Sequence, residues 1–230
     1  MKRSLSISLI ILILSSGFAL NAQIKKAAQK KKTEVSLDSL IFKKLTNRLE
    51  VGYNNPSQYG STVSTTYFNG LKVGLTTELP LKNNFSLLAG VLYNLVYSDK
   101  MQIKPGSTFT NYVTYGQFIN VPVHLIYNLP ASKSLNFFGF AGPTVNYGLT
   151  QVQSTVSTYN NATLGIPSAY TNLYKSNLSQ LDLQIGVGGG VQWNKYQLKG
   201  GYDWGLLNVN KLTTGNLYQK GWYISLSITL

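Results

Sequence analysis

"LDLQIGVGGGVQWNKYQLKGGYDWGLLNVNKLTTGNLYQKGWYISLSITL", residues 181–230, decides how the rest of the chain is read. In its first segment Leu181, Leu183, Ile185, Val187, Val191 and Trp193 share one parity, and Asp182, Gln184, Gly186, Gly188, Gly190 and Gln192 share the other. A period of two belongs to a β-strand, not a helix. After Asn194-Lys195 the alternation resumes, with Tyr196, Leu198, Tyr202, Trp204 and Leu206 opposite Gln197, Lys199, Gly201, Asp203 and Gly205. It returns at the end, where Trp222, Ile224, Leu226, Ile228 and Leu230 stand opposite Tyr223, Ser225, Ser227 and Thr229. The polar face holds charges and glycines, and the apolar face has aromatic residues near its ends. Apolar outside, polar inside and rings at the rims is the pattern of a transmembrane β-barrel.

Composition agrees with lipid on one side of each strand and a wet lumen on the other. Charged residues make up 12% of the 230-residue chain, against 43% apolar, with 16 Tyr and 21 Gly; a soluble domain carries about twice that charge. There is no cysteine, which excludes thiol chemistry. At the N-terminus Lys2 and Arg3 precede an apolar run from Leu5 to Leu14 and the stretch "FALNAQ", which reads as a secretory signal peptide over 1–22 cut after Ala22. That run is too short to span a bilayer as a helix, and no later segment reaches about 18 continuous apolar residues. The formal charge of +13 falls by two with that segment, and much of the rest sits in a basic periplasmic N-terminal segment, 23–44, with Lys25, Lys26, Lys30, Lys31, Lys32, Lys43 and Lys44. Export removes any route to nucleic acid, so this tract is expected to be a flexible tail that meets anionic headgroups.

Upstream of the closing strands the same alternation predicts strands over about 45–54, 66–80, 85–98, 112–129 and 135–155. Leu49, Val51 and Tyr53 face outward on the first; Tyr67, Leu71, Val73, Leu75 and Leu79 on the second. Pro122 cannot donate to a ladder, which predicts a bulge or irregularity in the fourth strand. The total is an all-β, eight-stranded antiparallel transmembrane barrel over 45–230. Short connections near 81–84, 130–134 and 194–195 alternate with long ones near 55–65, 99–111, 156–178 and 208–217. Short periplasmic turns and long outer loops follow the rule for such barrels, which puts both termini in the periplasm.

Four of the seven acidic residues, Glu50, Glu78, Asp182 and Asp203, have inward parity, together with Arg48, Lys72, Lys199 and the single histidine, His124. An eight-stranded barrel is just wide enough to be filled by side chains, so these eight residues are expected to form a structural polar network rather than a catalytic site. A narrow path for ions or small solutes is the first alternative. A lipid-modifying enzyme with His124 as base is the second, although no diagnostic spacing surrounds it. A lone histidine without cysteines is a poor metal site. The glycines at 186, 188, 189, 190, 200 and 201 sit within paired strands, not between a strand and a helix, so no phosphate cradle and no cofactor is expected. Tyr53, Tyr67, Tyr97, Tyr127, Tyr147, Trp193, Tyr196, Trp204 and Trp222 read as girdle residues. Tyr59, Tyr159, Tyr170 and Tyr174 fall in the expected outer loops and are the candidates for partner contact.

Four stretches, "FINVPVHLIYNLP" at 118–130, "FFGFAGPTVNYGL" at 137–149, "LDLQIGVGGGVQW" at 181–193 and "LKGGYDWGLLNV" at 198–209, together with the Ala-Gln junction at 22–23, carry a further signal. In these the chain resembles the Bacteroidetes-type outer membrane β-barrel proteins, including the PorT-like proteins. The resemblance covers most of 45–230 and implies location in the outer membrane of a Gram-negative bacterium. It implies contact with outer membrane lipids and lipopolysaccharide, and with the barrel assembly machinery during insertion. It also implies a non-enzymatic role as a structural or interaction module, and, because PorT serves type IX secretion, a protein partner in a secretion or envelope complex.

Overall fold

A computed structural model describes residues 45–61, 65–104, 108–159, 162–163, 171–175, 177–212 and 215–230. The signal peptide and the basic segment read at 1–22 and 23–44 lie outside the described residues. Eight long strands carry the architecture: β1 Thr46–Gly60, β2 Asn69–Pro80, β3 Phe85–Lys104, β4 Thr108–Pro130, β5 Leu135–Tyr159, β6 Leu181–Trp193, β7 Tyr196–Gly205 and β8 Leu217–Thr229. Each pairs antiparallel with its neighbour in sequence, and β8 returns to β1 from Arg48↔Thr229 to Gly60↔Leu217. The ring is closed, so it has no free edge within the wall. Two-residue strands at Thr66–Tyr67, Ala162–Thr163 and Thr171–Asn172 and a 3₁₀ turn at Leu173–Lys175 decorate one end.

Burial follows the alternation. Val51, Leu71, Leu95, Leu125, Val187, Leu198, Ile224 and Leu226 are exposed on the outer surface, while Arg48, Glu50, Lys72, Thr76, Gln197, Lys199, Ser225 and Ser227 are buried within. This inversion of a soluble protein is what a lipid-facing wall requires. Outward aromatic residues gather at two levels. Phe85 and Tyr127, 5.0 Å apart, lie with Trp193 and Tyr196 near the short turns. Tyr53 against Trp222 (5.4 Å), Tyr97 against Tyr115 (5.1 Å), Tyr147 and Trp204 form the other level. Tyr115 and Tyr127 are twelve residues apart on β4; at about 3.4 Å per residue and a tilt of about 40°, the girdles stand roughly 30 Å apart, close to a hydrocarbon core.

Three boundaries differ from the expectation. The segments 55–60, 99–104 and 108–111, read as loop, are strand. They lie past the second girdle, where hydropathy stops alternating while the backbone ladder continues. The connection between β3 and β4 is thereby reduced to 105–107 instead of the long loop expected at 99–111. The irregularity in β4 is present in two forms. Cα pairing with β3 and with β5 is interrupted around Pro122, and a bulge lies between Gln117 and Phe118. The bulge places Leu149 as an extra residue in β5 and flips the parity beyond it, so that Gln151, not Val152, is fully buried.

At the short-turn end Asn83, Asn84 and Asn194 take positive φ of 56°, 65° and 52°. Asparagine is among the few non-glycine residues that adopt this conformation readily, and it permits connections this tight. The turns are stitched together: Asn128 N–H donates to the carbonyl of Asn84 (2.8 Å), Asn194 to Ser134 (2.9 Å), Thr229 to Lys195 (2.8 Å) and Leu230 to Asn47 (3.0 Å).

Candidate functional site: the filled lumen

The lumen is built in levels. Nearest the short turns, Arg48 of β1 donates to Glu78 of β2 at 2.6 Å and to Gln192 of β6 at 3.1 Å. One residue pair further in, Glu50 forms an ion pair with Lys199 at 2.7 Å and lies 3.5 Å from Lys72, with its own side chain wholly buried. Two ammonium groups thus hold one carboxylate, and Lys72 keeps a second favourable contact with its Nζ 3.4 Å from the centre of the Tyr223 ring.

Beside this ion cluster an apolar plug of Leu88, Ile126, Phe138, Phe140 and Tyr223 packs inside the bore. The Phe140 ring is 6.4 Å from Phe138 and 6.5 Å from Tyr223, and His124 stacks on its other side at 5.0 Å and 14°. Glycines make the room. A Cβ on Gly188 would collide with the Gly200 carbonyl oxygen and the Phe140 ring, and one on Gly201 would sit 2.7 Å from the Tyr223 ring.

Above the plug a chain of carboxamides crosses the strands. Asn54 donates to Asn94 at 3.1 Å, Asn94 to Asn120, and Asn120 to Asn146. With Lys72, Lys199, Asp203, His124 and Gln184 they line a cavity of about 80 Å³. Water needs some 10–15 Å³ measured this way, so the space suits a few waters and no organic ligand of ordinary size. A second apolar cluster, Tyr174, Leu178, Val209 and Leu217 with Phe118 and Leu173, lies toward the long connections. It is tied down by Gln180 to the Gly148 carbonyl (3.0 Å), Lys211 to the Tyr174 carbonyl (3.2 Å) and Tyr174 to Gln151 (3.4 Å). Burial, with the Asp182 carboxylate nearby, pushes the Tyr174 phenol well above its ordinary pKa, so it stays a hydrogen-bond donor.

Of the eight residues singled out from parity, the structure brings Arg48 to Glu78 and Glu50 to Lys72 and Lys199. The other three make contacts of their own, with His124 and Asp203 lining the same cavity as Lys72 and Lys199. His124 meets Thr144 at 3.2 Å, Asp182 accepts from Gln184 at 2.7 Å, and the half-buried Asp203 fills the space left by the missing side chain of Gly186. No group of three His, Asp or Glu side chains suited to a metal occurs among the described residues. The asparagine chain and the Phe138–Phe140 plug were not singled out from sequence, although their inward parity was visible there. Two of the four loop tyrosines are placed otherwise than in an outer loop free for contact. Tyr59 is part of β1, packs on Tyr218 at 5.9 Å and carries Lys220 over its ring; Tyr174 is buried against Phe118 rather than displayed. Tyr159 ends β5, and Tyr170 lies outside the described residues.

A closed ring of strands with an apolar exterior, two aromatic girdles and a polar filled bore now stands beside a family comparison. Residues 27–211 match the family described as outer membrane protein beta-barrel domain. The chain belongs to that family. Location in the outer membrane follows from it, and β8, beyond the matched residues, is supplied by the observed pairing with β1. Among curated proteins no relative matches the chain. Similar solved structures include Neisserial surface protein A, 11% identical, which covers 82% of this chain and 100% of its own at a TM-score of 0.42. Ail, the attachment invasion locus protein of Yersinia pestis, is 10% identical over 80% of this chain and 98% of its own, with a TM-score of 0.33. The outer membrane enzyme PagL is 11% identical over 78% and 99%, with a TM-score of 0.31.

Proposed function

We propose that this barrel is a non-enzymatic module of the outer membrane that acts through its long-loop end on a protein partner. The observation that carries the reading is the filled bore: ion pairs and an apolar cluster occupy the half near the short turns, and the Tyr174 cluster lies toward the other. A lumen so filled contributes stability and leaves the projecting strands as the working surface. The resemblance to PorT-like proteins makes a secretion or envelope complex the partner class to test first. Affinity isolation of the native complex from outer membranes is expected to recover a stoichiometric envelope protein. Recovery of the barrel alone under mild solubilisation, repeated after cross-linking in cells, counts against the reading.

The two alternatives have less support. A narrow pore requires an open path past Phe138, Phe140 and Tyr223; planar-bilayer recordings are expected to show no steady conductance, and a reproducible unitary current would reinstate it. A lipid-modifying enzyme requires its base to reach lipid, whereas His124 is buried inside the bore against Phe140 and Thr144. Unchanged lipid products after His124→Gln are the expected result.

A further inference from the structure

Each of the three short turns carries one lysine and no acid: Lys82 in 81–84, Lys133 in 131–134 and Lys195 in 194–195. All three are exposed, and no partner for their side chains is present among the described residues. Of the described lysines at the opposite end, Lys211 donates to the Tyr174 carbonyl and Lys220 lies over the Tyr59 ring, while Lys175 is exposed. Among the described side chains the acids are inside: Glu50, Glu78 and Asp182 are buried in the lumen, and Asp203 is half-buried beside its cavity.

Position makes the pattern specific. Lys195 lies between the exposed rings of Trp193 and Tyr196. Lys82 follows exposed Leu81 and precedes Phe85, and Lys133 stands between exposed Leu129 and Phe137. A ring at the end of the apolar band marks the depth of the lipid glycerol and headgroup. A lysine beside it extends its stem over apolar surface and sets its ammonium at the level of the phosphates. The turns cannot splay away, because Asn194 is bonded to Ser134, Thr229 to Lys195 and Asn128 to Asn84. The three turns that carry these charges are therefore tied around one rim.

We infer that this rim is a docking belt for anionic phospholipid headgroups, each lysine pairing with the phosphate of a lipid whose chains lie on the adjacent aromatic or leucine side chains. Placing the belt in the periplasmic leaflet rests on the proposed topology, but its lipid preference does not. In a bilayer with the same lipids in both leaflets the preference is measurable whichever way the barrel inserts.

Trp193 is a built-in reporter. In a W204F/W222F background it is the remaining tryptophan, and its quenching by brominated phosphatidylglycerol relative to brominated phosphatidylcholine gives the relative binding constant at this rim. At about 1 kcal/mol per lysine near an anionic surface, the preference for phosphatidylglycerol is expected to be about fivefold. It should fall toward one in K82Q/K133Q/K195Q and at high salt, and remain in K175Q/K211Q. The single variant K195Q, next to the reporter, gives the same test if the triple variant folds poorly, with the heat-dependent gel shift as the folding control. No preference in the parent, no loss in K82Q/K133Q/K195Q or K195Q, or an equal loss in K175Q/K211Q overturns the inference, the last by showing an effect of overall charge alone.

Discussion

Glu50 shows how an interior charge is made tolerable. A carboxylate in the bore must be paired with opposite charge, and Lys199 at 2.7 Å and Lys72 at 3.5 Å supply it, one at each carboxylate oxygen. Glu50→Gln leaves two ammonium groups facing each other without their counter-charge. The barrel is expected to lose about 3–5 kcal/mol, the range for breaking a buried pair, read as a lower urea midpoint for loss of the folded gel form. Glu78→Gln removes the partner of one guanidinium, which retains Gln192 at 3.1 Å, and should cost less. If the two variants unfold at the same midpoint, the paired-lysine account of Glu50 is wrong. Glycines offer a second contrast. Gly188→Ala forces a methyl group into the Gly200 carbonyl and the Phe140 ring, while a Cβ on Gly139 meets nothing nearer than 3.8 Å. Gly188→Ala is expected to destabilise by about 1–3 kcal/mol through overpacking, with Gly139→Ala close to neutral in the same titration.

Among the elements, β4 and β5 depart most from a regular ladder, and they also mark how far the sequence could be read. Between the girdles, lipid on one side and lumen on the other impose alternation, so Leu125 and Tyr127 could be placed outside and His124 inside from parity alone. Past Tyr115 and Tyr147 no such contrast exists, and 55–60 and 108–111 looked like loop for that reason. The Leu149 bulge was hidden too, since only pairing with Gln117 and Phe118 reveals the extra residue. Inward residues were legible, but their partners were not. Lys199 reaches Glu50 across β8 because the ring is curved, and curvature depends on strand number and stagger rather than on any local pattern. The segment 171–178 offers a test at this scale. Tyr174→Ala removes its hydrogen bond to Gln151 and its edge contact with Phe118, 6.5 Å away. Amides of 173–178 should then exchange markedly faster while those of β6 are unchanged; equal acceleration in both would mean that the cluster supports the wall rather than covers the bore.

For the whole molecule, the two ends differ in kind. One is compact, with turns of two to four residues and stitched backbone bonds; the other projects, since β5 runs twelve residues past Tyr147 to Tyr159, roughly 30 Å beyond its girdle at the same rise and tilt. The proposed topology puts the projecting end outside the cell. An epitope inserted within 164–169 should be labelled on intact cells, and one inserted at Asn194-Lys195 only after the outer membrane is opened. The reverse pattern of labelling would invert the topology, and with it the leaflet in which Lys82, Lys133 and Lys195 lie.

The seam from Arg48↔Thr229 to Gly60↔Leu217 also sets the order in which the ring can form. Seven of the eight strand contacts join neighbours in sequence and can arise as successive hairpins; the eighth joins residues more than 150 positions apart and carries the largest loop-closure cost. Pro56, opposite Gly221, supplies no N–H to that seam. Closure is therefore expected to start at the short-turn end, where Leu230 already bonds to Asn47, and to run outward past Pro56 as the last act of assembly. A ring completed in this direction sets the Glu50 ion cluster before the upper wall is sealed, so the charges are paired while water can still leave through the open end.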